Sequence, residues 1–144
     1  MVLDSVQSLN WLAIATAAAA AFAIGLLWFS PQVLGAFWAR QVSRYTAVPE
    51  GEITSEASGP TALSAWLGVI AVSAVAHGVT AEAVGADSAS DGIVLGLVLG
   101  LGFGATLASW PPIFARMPWE WWLVNSGAFV LMQVAMGAIF GLWH

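Results

Sequence analysis

The sequence predicts an all-α integral membrane protein. It reads as one domain over residues 1–144, a bundle of four transmembrane helices with an interfacial amphipathic helix between the first two. Three observations carry that reading. The 144 residues are 60% hydrophobic and only 8% charged, where a soluble domain carries about 25% charged residues. A water-facing surface cannot be covered with so few charges. Four segments, Trp11–Phe29, Ala62–Val84, Gly92–Trp110 and Trp121–Trp143, meet the need for about 20 apolar residues to cross about 30 Å of hydrocarbon. The third observation is a two-faced stretch, "SPQVLGAFWARQVSRY", in the one long connection.

Taken in order, the first ten residues, "MVLDSVQSLN", carry Asp4 and lack the positive region of a cleaved signal peptide. The apolar run that follows passes its alanines and continues to Phe29, so it is expected to be a retained span. Ser30 is a favourable N-cap and Pro31 a favoured first helical residue, which predicts a new helix over residues 31–45. Val33, Leu34, Phe37, Trp38, Val42 and Tyr45 recur at helical spacing, with Gln32, Arg40, Ser43 and Arg44 on the other faces. A helix of this kind is too short and too polar on one side to span, and is expected to lie at the headgroups. The following "TAVPEGEITSEASGP" reads as an exposed acidic loop. "GADSASD" links spans two and three, and "PPIFARMPWE" links spans three and four.

Orientation rests on the three basic side chains, Arg40, Arg44 and Arg116. In an up-down arrangement all three fall on one side, which the positive-inside rule makes cytoplasmic. Both termini are then expected outside the cell membrane. Trp28, Trp38, Trp66, Trp110, Trp119, Trp121 and Trp122 map to the arginine-bearing interface, and Trp11 and Trp143 to the other. Indole rings favour that depth, so an anchoring belt is expected, with Trp28, Trp38 and the arginines as interfacial anchors.

Span three places Gly92, Gly96, Gly100 and Gly104 four residues apart, hence along one helix face. Lipid supplies no hydrophobic force between helices, so association depends on close approach across small residues. Each glycine costs a helix about 1 kcal/mol relative to alanine in water, which implies a tightly packed neighbour. Gly137 and Gly141 of span four, or Ala13, Ala17, Ala21 and Gly25 of span one, offer matching surfaces. The pairing can lie within one chain or across a subunit boundary.

Few polar groups remain at depth. His77 falls about 6 Å from the middle of span two, with Ser73 and Thr80 on its face. Gln133 lies near the middle of span four, and Asn125 toward its arginine-bearing end. Intramembrane polar residues either hydrogen-bond between helices or mark a path. For His77 both uses are open, because imidazole alone among them changes charge near neutral pH. With no carboxylate at that depth the ring is expected to be neutral at pH 7, bonded to Ser73 or to a facing group such as Gln133.

Several chemistries are excluded. With no cysteine there is no thiol catalysis, disulfide or Cys-based metal site. One buried histidine does not make a zinc site, and His144 could join it only across a subunit or at the outer surface. Glu82 and Glu120 lie near span ends, so no carboxylate sits at mid-membrane for proton-coupled exchange. No metal, cofactor or nucleic-acid partner is expected, the last because three arginines make no basic patch.

Two stretches carry a resemblance. "GLLWFSPQVLGAFWARQ" closes the first span, and "WWLVNSGAFVLMQVAMGAIFGLW", with Asn125, Gly127, Gly137 and Gly141, fills the last. Together they resemble a family of short prokaryotic membrane proteins catalogued as domain of unknown function 1761. This chain has Phe29 where the family often has Tyr before Ser-Pro, and an unusual Pro111-Pro112 pair at the end of the third helix. The resemblance implies four spans and assigns no activity to any residue. The expected role is non-enzymatic: a scaffold or accessory subunit contacting membrane lipids and acting through helix packing, as a homo-oligomer (a dimer first) or in a larger membrane complex. The alternatives are permeation of a proton or small solute past His77, Gln133 and Asn125, and binding of a lipid or lipophilic cofactor.

Overall fold

Every regular element of residues 8–143, which the computed structural model describes, is helical. Helix α1 spans Trp11–Trp28, α2 Gly35–Thr46, α3 Glu50–Ala57 and α4 Pro60–Val84. Helix α5, Ala89–Leu99, runs into a π-helical turn, Gly100–Ala105, and is followed by a short α6, Trp110–Phe114. Helix α7 covers Trp119–Leu142. Four helices, Trp11–Trp28, Pro60–Val84, Ala89–Phe114 and Trp119–Leu142, are long and apolar enough to cross a membrane. These helices cover the segments expected to span, with the third continuing past Trp110 to Phe114. His144 and Asp4 lie outside the described residues.

The ends follow local chemistry. Asn10 caps α1 by accepting from the amides of Leu12 and Ala13, at 3.1 and 3.2 Å. Gly85, at φ 67°, closes α4 in the left-handed region, which glycine enters without a Cβ clash. Ser88 caps α5 by accepting from the Asp91 amide at 3.2 Å. Pro111 and Pro112 occupy the first turn of α6, where no amide hydrogen is needed. They therefore restart the third helix as much as end it.

Two sequence expectations are corrected. Ser30 does not cap a helix at Pro31. Its hydroxyl donates back to the Leu27 carbonyl at 2.7 Å, residues 31–34 form turns, and α2 begins only at Gly35. Val33 and Leu34 therefore precede the helix. The reason is Gly35, where a Cβ would strike the Phe29 carbonyl oxygen. That approach folds the chain tightly back on the end of α1. The acidic connection is also partly ordered: α3 places Glu50 and Glu52 in its first turn, where carboxylates favour the helix dipole, and buries Ile53.

Helix α7 is the hub and touches α1, α4 and α5. Ala13, Ala17 and Ala21 of α1 meet Ile70, Ala74 and Ala81 of α4 and Ala128, Met132, Met136 and Phe140 of α7 in one buried core. The alanine strip of span one thus serves this core. Helix α5 rests chiefly on α7, and Ile93, Val94, Leu97 and Val98 face outward.

Candidate functional site

The glycine strip is a backbone contact within one chain. A Cβ on Gly92 would collide with the Gly137 carbonyl oxygen, and one on Gly137 with that of Gly92. A Cβ on Gly96 would likewise collide with the Gln133 carbonyl oxygen, and one on Gly141 with that of Ser88. At Gly100 a Cβ would stand 2.8 Å from Val130 Cα, and at Gly104 it would stand 3.4 Å from Phe129 Cβ. The partner steps from Gly137 to Gln133 to Val130, then only to Phe129. That slip coincides with the π-helical turn, whose wider ring takes up residues without equal advance along the axis. At its last residue the Ala105 carbonyl accepts from Trp122 Nε1 at 2.8 Å, and beyond it the Ser109 amide bonds to Thr106.

The polar residues divide into two sets. His77 Nδ1 lies 2.7 Å from Gln133 Oε1, and Gln133 Nε2 donates to Ser73 Oγ at 2.9 Å. An amide oxygen only accepts, so Nδ1 carries a proton. Ser73 and His77 sit one turn apart on α4, and Gln133 of α7 bridges them. Nε2 has no hydrogen-bond partner. It lies 3.2 Å from the Cβ position at Gly137, where α5 and α7 cross, and the His77 ring stacks on Phe140 with centroids 5.6 Å apart. His77 is 1% exposed. The structure therefore brings His77, Ser73 and Gln133 together.

Thr80 and Asn125 stay apart from them. The Thr80 hydroxyl donates to Ala76 of its own helix at 2.7 Å, and Asn125 Nδ2 donates to Trp121 of its own helix at 2.7 Å. Among the described residues no three potential ligands of the His, Asp and Glu type gather in one place.

The tryptophans do more than a belt requires. Trp28 Nε1 donates to the Val124 carbonyl at 3.0 Å, with its ring laid over Gly127. The Trp66 ring fills the space over Gly25 and packs on Phe22 at 5.0 Å. Trp38 of α2 stands edge-on to Phe29 at 5.9 Å. Arg40, Arg44 and Arg116 are exposed. The expectation of an interfacial belt hid these interhelical roles, although Gly25 and Gly127 within apolar spans, and the Pro111-Pro112 pair, were the available signals.

The sequence pattern of the family described as "Protein of unknown function (DUF1761)" matches residues 12–141. No curated protein and no solved structure matches the chain. The match takes in all four membrane-length helices, the glycine crossing and the His77–Gln133–Ser73 cluster, and the chain belongs to this family.

Proposed function

We propose that this multi-pass membrane protein is a non-enzymatic scaffold or accessory subunit that acts through helix packing and self-association, as a dimer first. The observation that carries the proposal is that most intramembrane polar groups are taken up inside the protein: His77 Nδ1, Gln133 and Ser73 bond among themselves, and Thr80 and Asn125 bond to their own helices, which leaves His77 Nε2 and Ser126 Oγ as the buried exceptions. Polar groups spent on interhelical bonds hold helices rather than hydrate a path. Meanwhile α4 and α5 turn Val69, Val72, Val94 and Val98 outward, leaving large apolar faces for lipid or for another membrane helix.

In the same proposal α2 lies in the interface, with Arg40 and Arg44 exposed toward the cytoplasmic headgroups and both termini outside. Reporter fusions at the C-terminus that are active only outside the cytoplasm fit this topology; activity only in the cytoplasm overturns it.

Reconstituted liposomes test the functional reading. Proton and small-solute flux should equal that of empty vesicles, and sedimentation in detergent should give a dimer. Flux that disappears in His77→Gln would instead establish permeation past His77, Gln133 and Asn125.

A further inference from the structure

The end of α1, the start of α2 and the first turns of α7 enclose an open groove of about 400 Å³. That volume falls within the range of about 300–1,000 Å³ typical of small-molecule sites. Trp28, Leu34, Phe37, Leu123 and Gly127 form its walls, so it holds water poorly and suits hydrocarbon.

Its rim is charged. Glu120, in the first turn of α7, contributes a carboxylate. The Arg40 guanidinium lies 6.0 Å from the centre of the Phe37 ring, one of the groove walls. Both residues are exposed. Trp28 ends a membrane-length helix, and Trp119, Trp121 and Trp122 begin another, which sets the rim at headgroup depth.

An apolar trough at that depth, with one anion in its lining and one cation beside its Phe37 wall, has a defined complement: a hydrocarbon chain, a phosphodiester and a primary amine in one molecule. We propose that the groove binds a zwitterionic aminophospholipid, with an acyl chain along Trp28, Phe37 and Leu123, its phosphate toward Arg40 and its ammonium toward Glu120. An anionic headgroup of the glycerol type would answer Arg40 alone and meet the Glu120 charge unfavourably. A choline headgroup carries the positive charge without N–H donors.

The test uses the full chain purified in detergent and titrated with phosphatidylethanolamine, phosphatidylglycerol and phosphatidylcholine of matched acyl chains. Bound lipid is counted by native mass spectrometry. One phosphatidylethanolamine should be retained saturably, with a preference of about threefold to tenfold over the other two, as the gain of one hydrogen bond gives. Glu120→Gln should remove that preference while phosphatidylcholine binding persists, and Arg40→Gln should weaken all three. Leu123→Trp fills the trough from an exposed position and should lower all three while thermal unfolding stays cooperative. Equal retention of the three lipids overturns the assignment, and so does a preference that survives Glu120→Gln. Lipid binding indifferent to Leu123→Trp does the same, as does a lipid-free dimer with the groove covered by a second copy.

Discussion

Helix α7 holds its neighbours α5 and α4 by opposite means. Against α5 it presents main chain: Gly137 meets Gly92, and the Gln133 carbonyl meets Gly96, with no side chain between. Against α4 it presents a hydrogen-bonded chain from His77 through Gln133 to Ser73. In hydrocarbon the first contact gains from dispersion between closely fitted backbones, and the second from polar groups that would otherwise go unpaired. Shape complementarity fails abruptly when volume is added. A hydrogen bond fails gently, because another polar group can replace it. Gln133 belongs to both contacts, its carbonyl facing α5 and its amide facing α4. One α7 position therefore fixes the register of two interfaces.

The largest expected effect strikes the backbone contact. Gly92→Leu places a side chain where the Gly137 carbonyl stands, so destabilisation should reach the top of the overpacking range, about 3 kcal/mol. The control is Gly102→Leu, since Gly102 of the same helical segment has open space around it, and its melting temperature in detergent should not fall. Equal losses at both sites would show that general glycine chemistry, rather than this contact, matters.

Next comes the polar contact. His77→Leu leaves the Gln133 amide oxygen without its donor and should cost about 1–2 kcal/mol in thermal unfolding. His77→Gln supplies a replacement donor and should lose no more than about 0.6 kcal/mol. A loss for His77→Gln as large as that for Gly92→Leu would erase the distinction between the two interfaces.

At the π turn the glycine contact loosens and an indole takes over. Trp122→Phe keeps an aromatic ring but removes the donor to Ala105 together with part of the indole's bulk, with an expected loss of about 1 kcal/mol from the hydrogen bond. The same change at a tryptophan that served only as an interfacial anchor would leave the α5–α7 contact untouched. The smallest effect lies outside both interfaces. Ala47 ends α2 at φ 60°, a left-handed geometry that costs a residue bearing Cβ about 1–2 kcal/mol. Glycine relieves that strain and returns about 0.5–1 kcal/mol through its larger unfolded-state entropy. Ala47→Gly should therefore stabilise by about 0.5 kcal/mol, read as a higher melting temperature.

Much of this organisation was legible in the residues. The four spans follow from the lengths of apolar runs, and the glycine spacing announces a close neighbour. His77 and Gln133 stand out because imidazole and amide are rare at such depth. What stayed hidden depends on contacts distant in sequence. Ser30-Pro31 satisfies every local rule for a helix start, yet Gly35 folds against the Phe29 carbonyl and delays the helix by a turn. Helix α3 carries a single buried apolar residue, Ile53, too little for a periodic signal. Thr80 shares the His77 face but bonds to Ala76, because a threonine hydroxyl reaches its own helix carbonyl more readily than a neighbour.

The glycine strip is consumed within the chain. Because the sequence has no cysteine, paired cysteines report on it without background. At Gly100 a Cβ would lie 3.4 Å from the Val130 Cβ, close to the spacing of about 3.5–4.5 Å that a disulfide requires. Gly100→Cys combined with Val130→Cys, oxidised in membranes, should give an intramolecular disulfide and a monomer of altered mobility on non-reducing gels. A disulfide-linked dimer from the same pair would instead place the strip at a subunit boundary.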